Sequence, residues 1–468
     1  MTLLEPRPIP DLAGLGRVHF IAVGGVGMSG IADALLARGV TVSGCDQTDS
    51  ETLRAVERQG ATVFVGHDPA HLADVDTVVV STAIHDDNPE LIEARRRGLP
   101  VLHRSVALAS LMAGHKVVSV AGSHGKTTTT AMCVSALQRA GRDPSYVIGG
   151  MILDSATGSH LGGGPEFVVE ADESDGSFRQ YPTSLAVITC VDADHLDNWG
   201  TPEHYAAGFA QFATAPGVEL VILDGDDPGA ARLGESLTAQ GHTVRTYGQS
   251  DHCDVRLSEI TVDDHTCQAV LTDGSWSGKV SLAVPGVHNL HNAAAAYCVG
   301  QALGADRDLV LQGLSGFHGT ARRFQHLGQA GGVTVIDDYA HHPTEIAATI
   351  AAARAVADGA RLVVCFQPHL FTRTRDFADN FGQVLAQADQ VVVLDVYPAR
   401  EEPIPGVTGE LVADAIAAHG GSMHYVPQFA DAVDALAGLV QPGDIVLTIG
   451  AGSVTTVGPA LLARLGQP

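Results

Sequence analysis

The chain has 468 residues, 45% hydrophobic and 17% charged, enough apolar sequence for more than one core. A net charge of −26 excludes the broad basic face that nucleic-acid binding needs, and no apolar run is long enough to span a bilayer. Seven scattered cysteines (Cys45, Cys133, Cys190, Cys253, Cys267, Cys298, Cys365), odd in number and never in a Cys-x-x-Cys pair, argue for reduced thiols in a cytoplasmic protein. They argue against a disulfide framework or a zinc site.

Short apolar runs alternate with helical patterns along most of the chain, which predicts an α/β fold with parallel sheets. The strand "RVHFIAV" leads through a glycine turn to the helix "MSGIADALLARG", and "VTVSGCD" ends a second strand on Asp46. With "VDTVVVSTAI" further on, this is a half-Rossmann pattern, and a boundary near Gly114 sets a first domain at 1–113. Gly25, Gly27 and Gly30 form G-x-G-x-x-G between strand and helix. Small residues there let backbone approach a pyrophosphate, and the helix N-terminus adds oriented N–H groups. The loop alone leaves three readings open: a nicotinamide cofactor, a UDP-sugar, or glycines needed only for packing.

A second domain, 114–320, opens with the strand and loop "VVSVAGSHGKTTTT". Val120 stands where a standard P-loop has its first glycine, so this loop is shorter. Gly122 and Gly125 still bracket a tight turn, Lys126 can reach β- and γ-phosphates, and the Thr127 hydroxyl sits where Mg2+ is met. Only three lysines occur in the chain, and Lys126 is the one inside this loop. Two further strands end in acids: Glu170, Asp172, Glu173 and Asp175, then Asp192, Asp194, His195 and Asp197. Parallel strands bring their C-terminal ends to the edge from which the phosphate loop emerges. One or two of these groups are expected to hold metal and the rest to cap helices. Residues 251–284 read as antiparallel strands, followed by the helix "HNLHNAAAAYCVGQALG".

The third domain, 321–468, has the strands "VTVIDDYA", "RLVVCFQPH", "QVVVLDVYP" and "DIVLTIGAG". "DDYAHHPTEI" and "FQPHLFTRTRD" place histidines, acids, a tyrosine, Arg373 and Arg375 at two strand ends, a candidate substrate-facing surface.

Taken in order, the glycine loop, "GSHGKTTTT", "EADESD", "DADHLD", "HNLHN", "RRF", "DDYAHHPTE" and "QPH" resemble the Mur ligase family. The resemblance implies an N-terminal Rossmann-like UDP-sugar-binding domain, a central P-loop-type ATPase domain with a parallel sheet, and a C-terminal Rossmann-like α/β domain for the amino acid. It implies a cytoplasmic enzyme of peptidoglycan precursor synthesis. The enzyme would use ATP to join L-alanine to the lactyl carboxylate of UDP-N-acetylmuramate through an acyl phosphate. By resemblance, the UDP-sugar falls to Gly25, Val26, Gly27, Met28, Ser29, Gly30, Asp46 and Ser81. ATP falls to Gly122, Ser123, His124, Gly125, Lys126, Thr127, Thr128 and Arg323, with His288, Asn289 and Asn292 on the adenine side. Thr127, Glu170 and His195 would hold two Mg2+ ions, with Mn2+ an alternative; Tyr339, His341, His369 and Arg373 would hold the amino acid. Lys126, His195, His341 and Arg373 are the catalytic candidates, His341 as the base.

Two departures stand out. Leu370 follows the "QPH" histidine where the family often has arginine, and no lysine lies between Asp172 and Gly278 to carry a bridging carbamate. Rival readings are a ligase for a recycled tripeptide, a folylpolyglutamate synthase (which needs no N-terminal glycine loop), a nicotinamide-dependent oxidoreductase, and a non-catalytic nucleotide-binding regulator.

Overall fold

The computed structural model describes residues 3–263, 266–357, 359–399 and 401–466; the side chains of Val26 and Asp197 lie outside the described set. Three sheets follow one another along the chain. Strands β1 (Val18–Ile21), β2 (Val42–Asp46), β3 (Thr62–Val65), β4 (Thr77–Val80) and β5 (Val101–His103) pair in parallel, in the order β3-β2-β1-β4-β5. All four residues of β1 are buried, as expected of a central parallel strand covered on both faces. The helix Pro89–Arg97 crosses back from β4 to β5. Asn88 caps it by accepting from Glu90 N and Leu91 N, Pro89 fixes its first turn, and Gly98 ends it in the left-handed conformation at φ +69°.

The second sheet contains β6 (Lys116–Ala121), β7 (Ser145–Ile152), β8 (Thr157–His160), β9 (Glu166–Glu170), β10 (Leu185–Ile188), β11 (Leu220–Asp224), β12 (Val244–Gly248), β13 (Val255–Val262), β14 (Cys267–Asp273) and β15 (Trp276–Leu282). Their order is β15-β14-β13-β12-β11-β10-β6-β9-β7-β8. The central strand β6 pairs in parallel with both β9 and β10, so the chain leaves all three at the same edge. Between β14 and β15 the connection turns on Gly274 at φ +58°, a tight hairpin that only antiparallel neighbours permit.

The third sheet is β16 (Gln325–Ala330), β17 (Val333–Asp338), β18 (Leu362–Phe366), β19 (Gln390–Leu394), β20 (Met423–Val426) and β21 (Ile445–Ile449), ordered β16-β17-β21-β18-β19-β20. Among the described residues of this sheet, only the edge strand β16 runs antiparallel. Apolar clusters cover both faces, one around Phe366 and Phe381 and one around Val363 and Leu461.

The chain forms two compact units. The first comprises the residues up to Ser258 with Val270–Val280 and His291–Phe317; the second comprises Glu259–Ala269, Ser281–Leu290 and the residues from His318 onward. Within the first unit the helix Val26–Ala37 packs on β7 and β8. The N-terminal segment also reaches the second sheet's loops: Leu4 N donates to Asp175 O at 2.9 Å, and Arg7 N donates to Gln180 Oε1 at 2.7 Å. Among the described residues no helix is long and apolar enough to cross a membrane.

Candidate active site

The phosphate-type loop is built where β6 runs out. Gly122 sits at φ +137°, and a Cβ there would lie 2.0 Å from Thr189 Oγ1, so only glycine fits. Gly125, at φ +82°, caps the helix Lys126–Arg139 without a side-chain bond. The loop is braced from β10's continuation. Ser123 Oγ donates to Asp192 O at 2.6 Å and receives Asp192 N at 2.9 Å; the Tyr205 hydroxyl lies 2.8 Å away. His124 N donates to Cys190 Sγ at 3.1 Å, and the Thr189 hydroxyl donates to His124 O. Thr128 is half-buried on the first helical turn.

Lys126 folds its ammonium back over this turn, donating to Gly122 O at 2.6 Å and lying 2.9 Å from both carboxylate oxygens of the fully buried Glu173. Burial opposes charge on Lys126, but Glu173, Asp172 and Glu170 outweigh it and hold the ammonium above its usual value. Burial likewise pushes the Glu173 carboxyl up, to about 7, with Lys126 opposing. Beside it, Glu170 Oε1 accepts from Thr127 Oγ1 at 3.1 Å and Oε2 from Gly149 N at 2.8 Å. His195 takes the left-handed region at φ +54°, uncommon for a residue with a side chain. Its Nε2 lies 3.5 Å from Asp194 and 3.9 Å from Glu173. The other acids behave largely as turn-formers: Asp172, Asp175 and Asp194 each accept a backbone N–H close by in the chain. Asp172 is also held at 2.8 Å by Arg104 Nη2. Asn292 joins this group by accepting from Thr129 Oγ1 at 3.0 Å. On the first turn of the helix Val287–Ala302, which carries Asn292, Asn289 gives its amide to Pro285 O at 2.7 Å, and the His288 side chain is exposed.

The first glycine loop lies in the same unit. The helix Val26–Ala37 starts on it with no side-chain cap, Met28 N and Ser29 N both donating to Gly25 O at 2.9 Å, and the positive end of its dipole lies at the loop. A Cβ on Gly25 would meet nothing closer than 3.6 Å, so the fold itself does not demand glycine there. Gly30 packs against Ser159 and Val147, Met28 is buried, and Ser29 is half-buried. Gly27 faces the Arg104 guanidinium. Asp46 braces the loop, accepting from Gly24 N at 3.1 Å and Thr48 N at 3.3 Å. Ser81, at the end of β4, lines a cleft of about 370 Å³ together with Arg7, His103 and Gln180.

In the second unit, a separate group forms at the ends of β17 and β18. The guanidinium carbons of Arg322 and Arg323 lie 4.8 and 5.1 Å from the Tyr339 ring centre. His341 stands edge-on to Tyr339 and to His369, and its N–H donates to Glu345 Oε2 at 3.0 Å. His369 stacks on Tyr397 and lies 3.4 Å from Arg373 Nη1. Burial pushes the Asp338 carboxyl up to about 6, with Arg323 opposing. Arg375 does not join the group; it pairs with Asp376 on the surface because its place on the helix turns it outward. Leu370 is buried at φ +72° and its N–H donates to Tyr397 O, so that position offers no anion contact.

Sequence reading left Arg104, Glu345 and Tyr397 off the site and counted Glu173 only among the groups expected to hold metal or cap helices. Glu173 and Glu345 lay inside the quoted motifs, and Tyr397 followed the apolar run of β19 as other site residues follow theirs. Arg104 had no signal, because its partner Asp172 is 68 residues away.

Three family models match in succession: the Mur ligase catalytic domain over 17–116, the Mur ligase middle domain over 120–300, and the Mur ligase glutamate ligase domain over 322–452. The chain belongs to the Mur ligase family. A Mur ligase is neither a nicotinamide-dependent oxidoreductase nor a bare nucleotide sensor, so both of those readings fall. Among curated relatives, a UDP-N-acetylmuramate–L-alanine ligase of Cutibacterium acnes is 56% identical, with 99% of each chain covered. One of Kineococcus radiotolerans is 53% identical over 98% of each. Among solved structures, the UDP-N-acetylmuramate–alanine ligase of Thermotoga maritima matches with a TM-score of 0.81 at 28% identity, covering 96% of this chain and 98% of that one. A murein peptide ligase from Psychrobacter arcticus matches with a TM-score of 0.74 at 25% identity, covering 97% and 99%.

Proposed function

We propose that this Mur ligase condenses L-alanine with the lactyl carboxylate of UDP-N-acetylmuramate at the expense of ATP. The observation that carries the reading is the Lys126–Glu173 pair beside Thr127–Glu170, at the edge where β6, β9 and β10 all end. The choice of alanine over a tripeptide rests on the identity to full-length alanine ligases.

A carboxylate resists attack by an amine at neutral pH, so it must first be activated. Transfer of the γ-phosphoryl group of ATP to the lactyl carboxylate gives an acyl phosphate and ADP. Lys126 is positioned to leave its loop carbonyls and Glu173 for the phosphoryl oxygens, offsetting charge as it shifts to ADP. The amine of alanine then attacks the acyl carbon, and collapse of the tetrahedral adduct expels phosphate. The imidazole of His341, whose backbone N–H is anchored on Glu345, is our candidate for the proton the amine loses, and Arg373 beside His369 for the amino acid's carboxylate. The uncapped start of Val26–Ala37 suits the diphosphate of the sugar nucleotide.

The oxygen donors at the loop, the Thr127 hydroxyl and the Glu170 carboxylate, are the hard set that Mg2+ takes, and Glu170 is already oriented by Thr127 and Gly149. Thr127, Glu170 and His195 would hold two such ions, which screen triphosphate charge when bound; no lysine lies between Asp172 and Gly278 to add a carbamate.

Purified protein supplied with UDP-N-acetylmuramate, ATP and Mg2+ should release phosphate only when L-alanine is added. Equal release with the tripeptide, or release without the sugar nucleotide, would refute the assignment. Glu170→Gln should raise the Mg2+ concentration for half-maximal release by about 10–100-fold, with sugar-nucleotide affinity unchanged. An unaltered Mg2+ titration would remove Glu170 from the metal site.

A further inference from the structure

On the face of the first sheet where Ile21, Leu72, Leu91 and Ala94 pack, five metal-ligating side chains meet in an otherwise apolar layer. They come from separate segments: His19 on β1, Cys45 on β2, His67 just after β3, His71 in the 3-10 turn Pro69–Leu72, and Glu90 on the helix Pro89–Arg97. None belongs to the group around Lys126. Spacing along the chain argued against a zinc site because no two cysteines lie close together; folding gathers ligands that the sequence keeps apart.

Glu90 is at the centre and fully buried. Its Oε2 accepts from Cys45 Sγ at 2.8 Å and lies 3.0 Å from His67 Nδ1; its Oε1 lies 2.7 Å from His71 Nδ1. The His19 ring is also fully buried, held by a 2.9 Å contact between Nδ1 and Ser43 Oγ. Its other nitrogen, Nε2, points at Glu90 Oε1 from 3.5 Å and makes no hydrogen bond. A buried carboxylate that needed only hydrogen bonds already has them from Cys45, His67 and His71. The orphaned Nε2 of His19 is a cost that such a network does not explain.

We infer that this cluster is a binding site for a transition-metal ion of the zinc class, with His19, Cys45 and Glu90 as ligands and His67 or His71 as the fourth. The donor atoms of His19, Cys45 and Glu90 all lie within 4.8 Å of one another. Bonds of about 2.0–2.3 Å in a tetrahedral site put donors about 3.3–3.7 Å apart, so shifts of about 1 Å bring the three into range. A thiol with imidazoles selects Zn2+ or Co2+ over Mg2+, which prefers oxygen alone. Ser43 supplies the outer contact that fixes a ligating imidazole. His67 and His71, whose side chains are 22% and 14% exposed, give an ion its way in, and the Cys45 thiol proton leaves to solvent as the metal binds.

The test is a Co2+ titration of the chelator-stripped full chain in excess Mg2+, followed by absorption spectroscopy. One equivalent should bind with a thiolate-to-cobalt charge-transfer band and the visible bands of a tetrahedral ion, and Zn2+ should displace it. Cys45→Ser should abolish the charge-transfer band, Cys190→Ser should retain it, and His19→Gln should weaken binding by about 10–100-fold. Weakening in one of His67→Gln and His71→Gln identifies the fourth ligand; unchanged binding in both overturns the proposed set. Absence of a thiolate band in the unsubstituted protein, or a band that survives Cys45→Ser, overturns the site. The first of these outcomes needs no variant, so a misfolded Cys45→Ser leaves the inference open to refutation.

Discussion

Lys126→Ala is expected to lower L-alanine-dependent phosphate release by about 10³-fold or more, while UDP-N-acetylmuramate still binds with its original affinity. The size follows from position. Lys126 is the cation of the loop after β6, its ammonium held charged by three carboxylates, and no second lysine lies within that loop. The substitution also strands Glu173, a fully buried carboxylate, at an expected cost of about 3–5 kcal/mol if that group stays ionised. Loss of activity and loss of stability must therefore be separated. Adding Glu173→Gln to Lys126→Ala should restore much of the melting temperature without restoring turnover. Calorimetric titration with the sugar nucleotide and a stopped phosphate assay on the parent and both variants distinguish the effects. Joint loss of sugar-nucleotide binding in Lys126→Ala would mean that the two loops had been assigned the wrong ligands.

Gly122→Ala should be among the damaging single methyl additions in the first unit. The new Cβ would fall 2.0 Å from Thr189 Oγ1 and 3.0 Å from two backbone nitrogens, at a φ of +137° that side chains avoid. Thr189 cannot simply turn away, because its hydroxyl is engaged with the carbonyls of Ala121 and His124. We expect a loss of about 2–4 kcal/mol together with loss of measurable ATP binding. Gly30→Ala is the matched control: its Cβ would meet nothing closer than 3.7 Å and it lies inside a helix, where Ala is favoured over Gly, so that variant should melt at or above the parent's temperature. Thermal denaturation followed by circular dichroism reads both, and equal melting temperatures for the two variants would refute the steric argument.

The strands that sequence reading named in the first and third sheets are those that end with neighbours on both sides. β1, β2 and β4, and β17, β18, β19 and β21, are apolar runs because helices cover both of their faces. Those it left unnamed at the borders are β3, β5, β8, β16 and β20, where one side lacks a pairing strand and the residues alternate or turn polar; β8 is "TGSH" and β16 is "QHLGQA". β11 and β12 are interior and apolar enough to have been seen, and their absence from the reading has no such excuse. At the site, residues carried by a local motif were legible: Gly122, Lys126, Thr127, Glu170, His341 and His369 all stand at strand ends, as the pattern requires. Contacts made across long stretches of chain were not. The pairing of Arg104 with Asp172, and the gathering of His19, Cys45, His67, His71 and Glu90, depend on which strands lie side by side, and no local pattern records that.

The tie between the N-terminal segment and the loop near Gln180 has a temporal side. β1 to β5 use one continuous run of chain and can pair as soon as that run is made, whereas Arg7 must wait for a partner 173 residues downstream. At elongation rates of about 5–20 residues per second, that wait lasts roughly 10–35 s. From the completion of β5 onward the segment around Arg7 hangs beside a finished sheet, bare to proteases and chaperones, until synthesis of the second sheet's loops gives it a place to dock.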